Sequence, residues 1–102
     1  MVAKEPRLTQ QTLGVLSALV NSRELSGAEV AKITDLATGT LYPILYRLEQ
    51  VGWLHSRWED GHPAELGRPR RRYYRITAEG QKRVRQVIEQ LLPAGGKLAW
   101  KR

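Results

Sequence analysis

Apolar residues recur along most of this chain at helical spacing, and the pattern turns to alternation only in its second half. Leu13, Leu16, Leu19 and Val20 repeat at three- and four-residue intervals, which predicts a helix from about Thr9 to Asn21 with one buried stripe. Gly14 inside it costs about 1 kcal/mol against alanine, which points to a close helix contact at that position. Ser26, followed three residues on by Glu29, matches a capping box and opens a short second helix that ends near Thr34. Ala28, Val30, Ala31 and Ile33 are its apolar contacts, and Asp35-Leu36-Ala37 forms the turn after it. Thr38 is placed to cap a third helix, in which Leu41, Ile44, Leu45, Leu48 and Val51 make a core-facing stripe. Gly52 suits the left-handed position that ends a helix. Pro43 falls early in this helix, where its missing N–H predicts a local irregularity and not a break.

From Trp53 to Glu59 the period changes to two. Leu54, Ser56 and Trp58 share one face, and Trp53, His55, Arg57 and Glu59 the other. This places Trp58 in the core beneath a hairpin and leaves Trp53 partly exposed at the strand start. Asp60-Gly61-His62-Pro63 and Gly67-Arg68-Pro69 carry turn chemistry, and Arg72 to Thr77 reads as the returning strand. Thr77 then caps a last helix over about 78–92, with Val84, Val87, Ile88, Leu91 and Leu92 as its apolar stripe and Pro93 as its stop. The predicted fold is mainly α with a small antiparallel β-hairpin: a winged helix-turn-helix followed by a C-terminal dimerisation helix. It divides into a flexible arm (1–7), a DNA-binding domain (8–77), the dimerisation helix (78–92) and a basic tail (93–102).

Composition sharpens the partner. The chain has 102 residues, enough for one domain with a small core. Its 17 Lys and Arg against 10 Asp and Glu give a formal charge of +7, which favours a polyanion, nucleic acid above all. With no cysteine there is neither a disulfide nor thiolate chemistry. No apolar run approaches a membrane span and no signal core opens the chain, so the expected setting is the cytoplasm, away from the membrane. His55 and His62 have no companion ligand at metal spacing, and no nucleophile-and-base pair or phosphate-cradling glycine loop is visible. No catalytic residue, metal or cofactor is therefore assigned, and the chain reads as a non-enzyme.

Two segments carry candidate chemistry. The polar face of the third helix presents Thr38, Thr40, Tyr42, Pro43, Tyr46, Arg47 and Gln50, types able to contact base edges, thymine methyls and phosphates. Read alone, that face is equally a solvated helix surface. Arg68, Arg70, Arg71 and Arg72 crowd the hairpin tip, with Glu65 as the nearby acid; such a wing can follow a phosphate backbone. The last helix has an apolar stripe and little of the chain left to cover it. Self-association through Leu13, Leu16, Val84, Val87, Ile88 and Leu91 is the expectation, against packing on the first helix of the same chain. A two-fold dimer would set its reading helices about 34 Å apart, one DNA turn. Trp100, in the tail, is either unstructured, folded against a partner subunit, or part of an apolar ligand pocket between subunits.

The segments Gly39-Thr-Leu-Tyr-Pro-Ile-Leu-Tyr-Arg-Leu-Glu-Gln-Val-Gly52, Trp58-Glu59 and Gly67-Arg-Pro-Arg-Arg-Arg-Tyr-Tyr-Arg-Ile-Thr-Ala-Glu-Gly80 resemble the PadR family of bacterial transcriptional regulators over roughly residues 8–82. The short C-terminal region resembles the compact subgroup with one C-terminal helix. The resemblance implies a homodimeric repressor on double-stranded operator DNA, with Thr38, Thr40, Tyr42 and Pro43 at the DNA and Arg68, Arg70, Arg71 and Arg72 in the wing. It also implies a small aromatic effector as a candidate partner. Other classes consistent with the residues are a protein-interaction winged-helix module and an architectural or excision-type DNA-binding protein of a mobile element.

Overall fold

A computed structural model describes residues 6–91. In chain order it contains α1 (Gln10–Val20), β1 (Leu25–Ser26), α2 (Gly27–Thr34), α3 (Thr38–Gln50), β2 (Leu54–Trp58), α4 (Pro63–Leu66), β3 (Arg72–Ile76) and α5 (Ala78–Gln90). The result is mostly helical, with a three-stranded antiparallel sheet in the order β1-β3-β2. The predicted hairpin is β2–β3. The strand β1 joins it through Leu25 opposite Tyr74 and Ser26 opposite Tyr73.

Helix ends follow local chemistry. Thr9 caps α1 by accepting from the Thr12 N–H, and Ser26 and Glu29 form the reciprocal capping box of α2 at 3.1 and 2.7 Å. The turn between α2 and α3 runs through Asp35 at φ 59°, a left-handed position that aspartate tolerates better than most residues. The N-cap of α3 is Ala37, not Thr38, and it makes no side-chain cap; Thr38 is already the first helical residue. At the other end Gly52 sits at φ +82° while its N–H reaches the Glu49 carbonyl and the Trp53 N–H reaches that of Leu48. These are the two bonds of a Schellman motif. Pro43 is accommodated within a continuous helix.

The core gathers Leu41, Ile44, Leu45 and Leu48 of α3 against Val15, Leu16 and Leu19 of α1, Val30 of α2 and Leu54, Tyr74 and Ile76 of the sheet. Each fully enclosed leucine here contributes about 1.5–3 kcal/mol of apolar burial. The α1 stripe is rotated from its predicted setting. Thr12, Val15 and Ala18 are buried with Leu16 and Leu19, while Val20 is 41% exposed. The reason is that α1 packs on α2, β3 and α5 together, so its covered face is wider than one leucine stripe. The close helix contact expected at Gly14 is not found among the described residues, where a Cβ added there would meet nothing within 4 Å.

The two strand tryptophans exchange their expected roles. Trp53 is buried at 4% exposure and Trp58 is 52% exposed. Trp53 precedes β2 and lies under the start of α5. Its carbonyl accepts from the Thr77 N–H at 2.9 Å, Gly80 closes against the same oxygen, and the Arg83 guanidinium lies over its ring. Trp58 shares the inward face with Leu54 and Ser56, as the pairing Leu54–Ile76, Ser56–Tyr74 and Trp58–Arg72 requires, but the core stops at Ser56 and Tyr74. Thr77 ties this region together: its hydroxyl donates to the Gly52 carbonyl at 2.6 Å and accepts from the Gly80 N–H at 3.0 Å.

Candidate nucleic-acid interface

All seven α3 residues singled out by sequence lie off the core side. Thr38, Tyr42, Pro43, Tyr46, Arg47 and Gln50 are exposed and Thr40 is half-buried. Tyr42 and Tyr46 are the large hydrophobic residues that α3 leaves open, at 42% and 64% exposure. Tyr42 leans on the first residue of α2: a Cβ at Gly27 would stand 2.9 Å from the Tyr42 Cε1 and Cζ and closer still to its hydroxyl. The small residue at position 27 therefore sets the pose of this tyrosine.

The four wing arginines divide into distinct roles. Arg68 is held by Glu59 through paired bonds, Nη1 to Oε1 at 2.7 Å and Nη2 to Oε2 at 2.8 Å. The same carboxylate accepts from the Arg71 backbone N–H at 3.0 Å. These bonds, Arg68 first and the Arg71 amide second, hold the Glu59 carboxyl at about 2, well below its ordinary value. The acid that pairs in the wing is therefore Glu59 and not the expected Glu65, because Glu59 follows β2 directly and faces the incoming chain. Arg72 lies 3.9 Å from Glu49 and 4.8 Å from the centre of the Trp58 ring. Arg70 lies 5.9 Å from the same ring. Arg70 and Arg71 are exposed, and neither guanidinium forms an ion pair among the described residues.

Two further contacts fix the wing. Glu49, near the end of α3, accepts from the Ser56 hydroxyl at 2.6 Å, which couples α3 to β2. On the outer face Arg57 makes a forked pair with Glu24, both bonds 2.8 Å, and covers the Tyr73 ring at 5.1 Å. The Arg57 pair lowers the Glu24 carboxyl. Burial raises the Tyr74 phenol, opposed in part by the Arg72 charge. Glu24, Glu49, Ser56 and Gly27 were not visible as site residues in sequence, because each acts through a neighbour far along the chain. The tip itself folds as α4, closed at each end by His62 and Gly67.

A cleft of about 420 Å³ lies between the start of α2, Tyr42 of α3 and the wing, with Trp58, Arg70, Arg71, Arg72 and Tyr74 on its walls. A second cleft on the opposite flank of α3 brings Arg7 of the N-terminal segment beside Thr40, Pro43 and Arg47. The exposed face of α3 is thus bordered by arginine on both sides. Among the described residues no cluster of metal-ligating side chains occurs, and no helix is long and apolar enough to cross a membrane.

The residues expected to pair two copies are split. Leu16 is 1% exposed and Val87 8%, so both belong to the chain's own core, where α5 packs on α1 and β3. Ile88 and Leu91 remain open at 44% and 73%, with Leu13 and Val84 half-buried. Leu92, Trp100 and the basic tail lie outside the described residues.

The model of the transcriptional regulator PadR-like family matches residues 15–86. Solved structures similar to this chain include a PadR family transcriptional regulator from Eggerthella lenta, 34% identical, covering 74% of this chain and 69% of its own, with a TM-score of 0.61. A PadR family transcription regulator from Clostridium difficile is 25% identical over 80% of this chain and 86% of its own, with a TM-score of 0.68. Bacillus subtilis PadR, solved in complex with operator DNA, is 17% identical over 85% of this chain and 51% of its own, with a TM-score of 0.70, and shares the fold. No curated protein matches the chain significantly.

Proposed function

This chain belongs to the PadR-like family of transcriptional regulators, and we propose that it acts as a homodimeric repressor that binds an inverted-repeat operator. In this reading the exposed face of α3 enters the major groove. Thr38, Thr40, Tyr42, Pro43, Tyr46, Arg47 and Gln50 meet base edges and flanking phosphates. Arg70 and Arg71 grip the backbone beside it. The observation that carries the reading is the single cleft shared by Tyr42 of α3 and Arg70, Arg71 and Arg72 of the wing. One DNA surface can meet both elements at once.

Pairing of two copies would rest on Ile88 of α5 and Leu91 at its C-cap, both open, with the half-buried Leu13 of α1. The two-fold axis of such a dimer dictates an inverted repeat with half-sites about one turn apart. Trp100, by its apolar ring, is the candidate contact for a small aromatic effector.

The test uses the DNA immediately upstream of the chain's own reading frame. Titrated with purified protein, it is expected to show a protected patch with two-fold symmetry, and a reporter on that promoter should fall when the protein is supplied. Binding weaker than micromolar with no sequence preference would contradict the reading and favour a protein-interaction module; a footprint remote from any promoter would favour an architectural role. Sedimentation is expected to give a dimer at micromolar concentration. Replacing Ile88 and Leu91 by glutamate should yield a monomer, and an unchanged dimer would refute that surface.

A further inference from the structure

An exposed tryptophan at the edge of a core calls for a reason, since it leaves a large apolar ring in water. Trp58 ends β2 opposite Arg72, on the inward face but beyond the last core residues. Its ring has two guanidiniums near it, Arg72 at 4.8 Å and Arg70 at 5.9 Å from the centroid. Both distances are within the range of a cation–π contact. The ring and both arginines line the cleft that Tyr42 closes from the side of α3. Glu49, 3.9 Å from Arg72, is the neighbouring acid and restrains that side chain without enclosing it.

We propose that this cleft is a seat for the DNA backbone and that Trp58 is its positioning residue, holding Arg70 and Arg72 so that the two guanidiniums address neighbouring phosphates of one strand. The proposal rests on the DNA-binding reading above and adds a residue to it that carries no charge. A free arginine loses rotamer entropy when it grips a phosphate, and a ring that already confines it removes much of that cost. The gain belongs to any DNA sequence, because the backbone is read and not the bases. Arg68, tied to Glu59, takes no part.

The experiment measures binding of the full chain to a short random-sequence duplex across a range of salt, for the wild type, Trp58→Ala, Trp58→Phe and Arg70→Ala. Ordering two arginines afresh should weaken Trp58→Ala by about tenfold at fixed salt, with the phenylalanine variant recovering most of the loss. The cations remain, so the salt slope of Trp58→Ala should stay near that of the wild type, whereas Arg70→Ala should flatten it by about one unit. The ring is exposed, so thermal melts of the tryptophan variants should track the wild type and exclude misfolding as the cause. Trp58→Ala within twofold of wild type would overturn the proposal, as would equal losses in the alanine and phenylalanine variants. If the wild type itself fails to bind the duplex, the DNA-binding reading falls and the proposal with it.

Discussion

Replacing Arg70 and Arg71 together by alanine should change how DNA binding responds to salt, and replacing Arg68 should not. The structure supplies the magnitude. Arg68 is spent on Glu59 through bonds of 2.7 and 2.8 Å, so it carries little net charge to a phosphate. Arg70 and Arg71 are exposed and form no ion pair among the described residues. Each phosphate neutralised on duplex DNA contributes about 0.9 to the slope of log K against log salt. The double variant should therefore flatten the slope by about 1.8 per chain bound, and weaken binding to specific and random DNA alike. Arg68→Ala should leave the slope within a few tenths. Its effect should appear as a looser wing, through loss of the bond that orients Glu59. Fluorescence anisotropy with labelled duplexes, repeated over a range of potassium chloride, reads both quantities. An unchanged slope in the double variant, or an equal flattening in Arg68→Ala, would refute the division of the wing into bracing and gripping arginines.

Gly80→Ala should lower the melting temperature by roughly 5–15 °C, because the new methyl meets the Trp53 carbonyl oxygen and stands 2.8 Å from the Ile76 Cγ1, with backbone unable to yield; a melt within 2 °C or so of wild type would show that α5 shifts freely. Gly27→Ala meets only the mobile end of Tyr42, so its melt should stay near wild type while operator affinity falls by about tenfold as that tyrosine turns away; retained affinity would remove Tyr42 from the interface. Because the Glu59 carboxyl is depressed from 4.5 to about 2, its contribution to stability is complete above the unfolded value and lost as pH falls through the folded one. The stability difference between wild type and Glu59→Gln in urea should thus hold level from neutral pH to about 5 and shrink between about 4.5 and 2; a difference that already changes between pH 8 and 6 would contradict the assignment.

Local chemistry was legible in the sequence where a residue acts on its own helix. The Ser26–Glu29 box, the Gly52 stop and the Thr77 cap all follow from spacing alone, and Leu41, Leu45 and Leu48 define the buried side of α3 because their helical spacing puts all three in the core. The polar face of α3 followed as its complement. What sequence missed depends on elements meeting across the fold. Period two puts Trp53 outward and Trp58 inward, but α5 covers Trp53, while Trp58 lies beyond the last core residues and stays 52% exposed beside Pro63, Ala64 and Pro69. Glu59 and Arg68 are nine positions apart with a turn of helix between them, so their pairing depends on hairpin register. Leu16 read as a dimer residue because a stripe says which side is apolar and not what covers it; within this chain the cover is the core itself. The strand β1 has two residues, too few to leave a periodic trace.

Selection of bound DNA from a random-sequence duplex pool by the purified chain tests the central claim most directly. The account predicts enrichment of an inverted repeat with half-sites about one turn apart, bound at least about a thousandfold more tightly than random DNA at physiological salt. It also predicts that Tyr42→Ala and Arg47→Ala each lose more on that sequence than on random DNA. A pool that stays random after repeated selection, with the chain binding every duplex equally, would contradict the account.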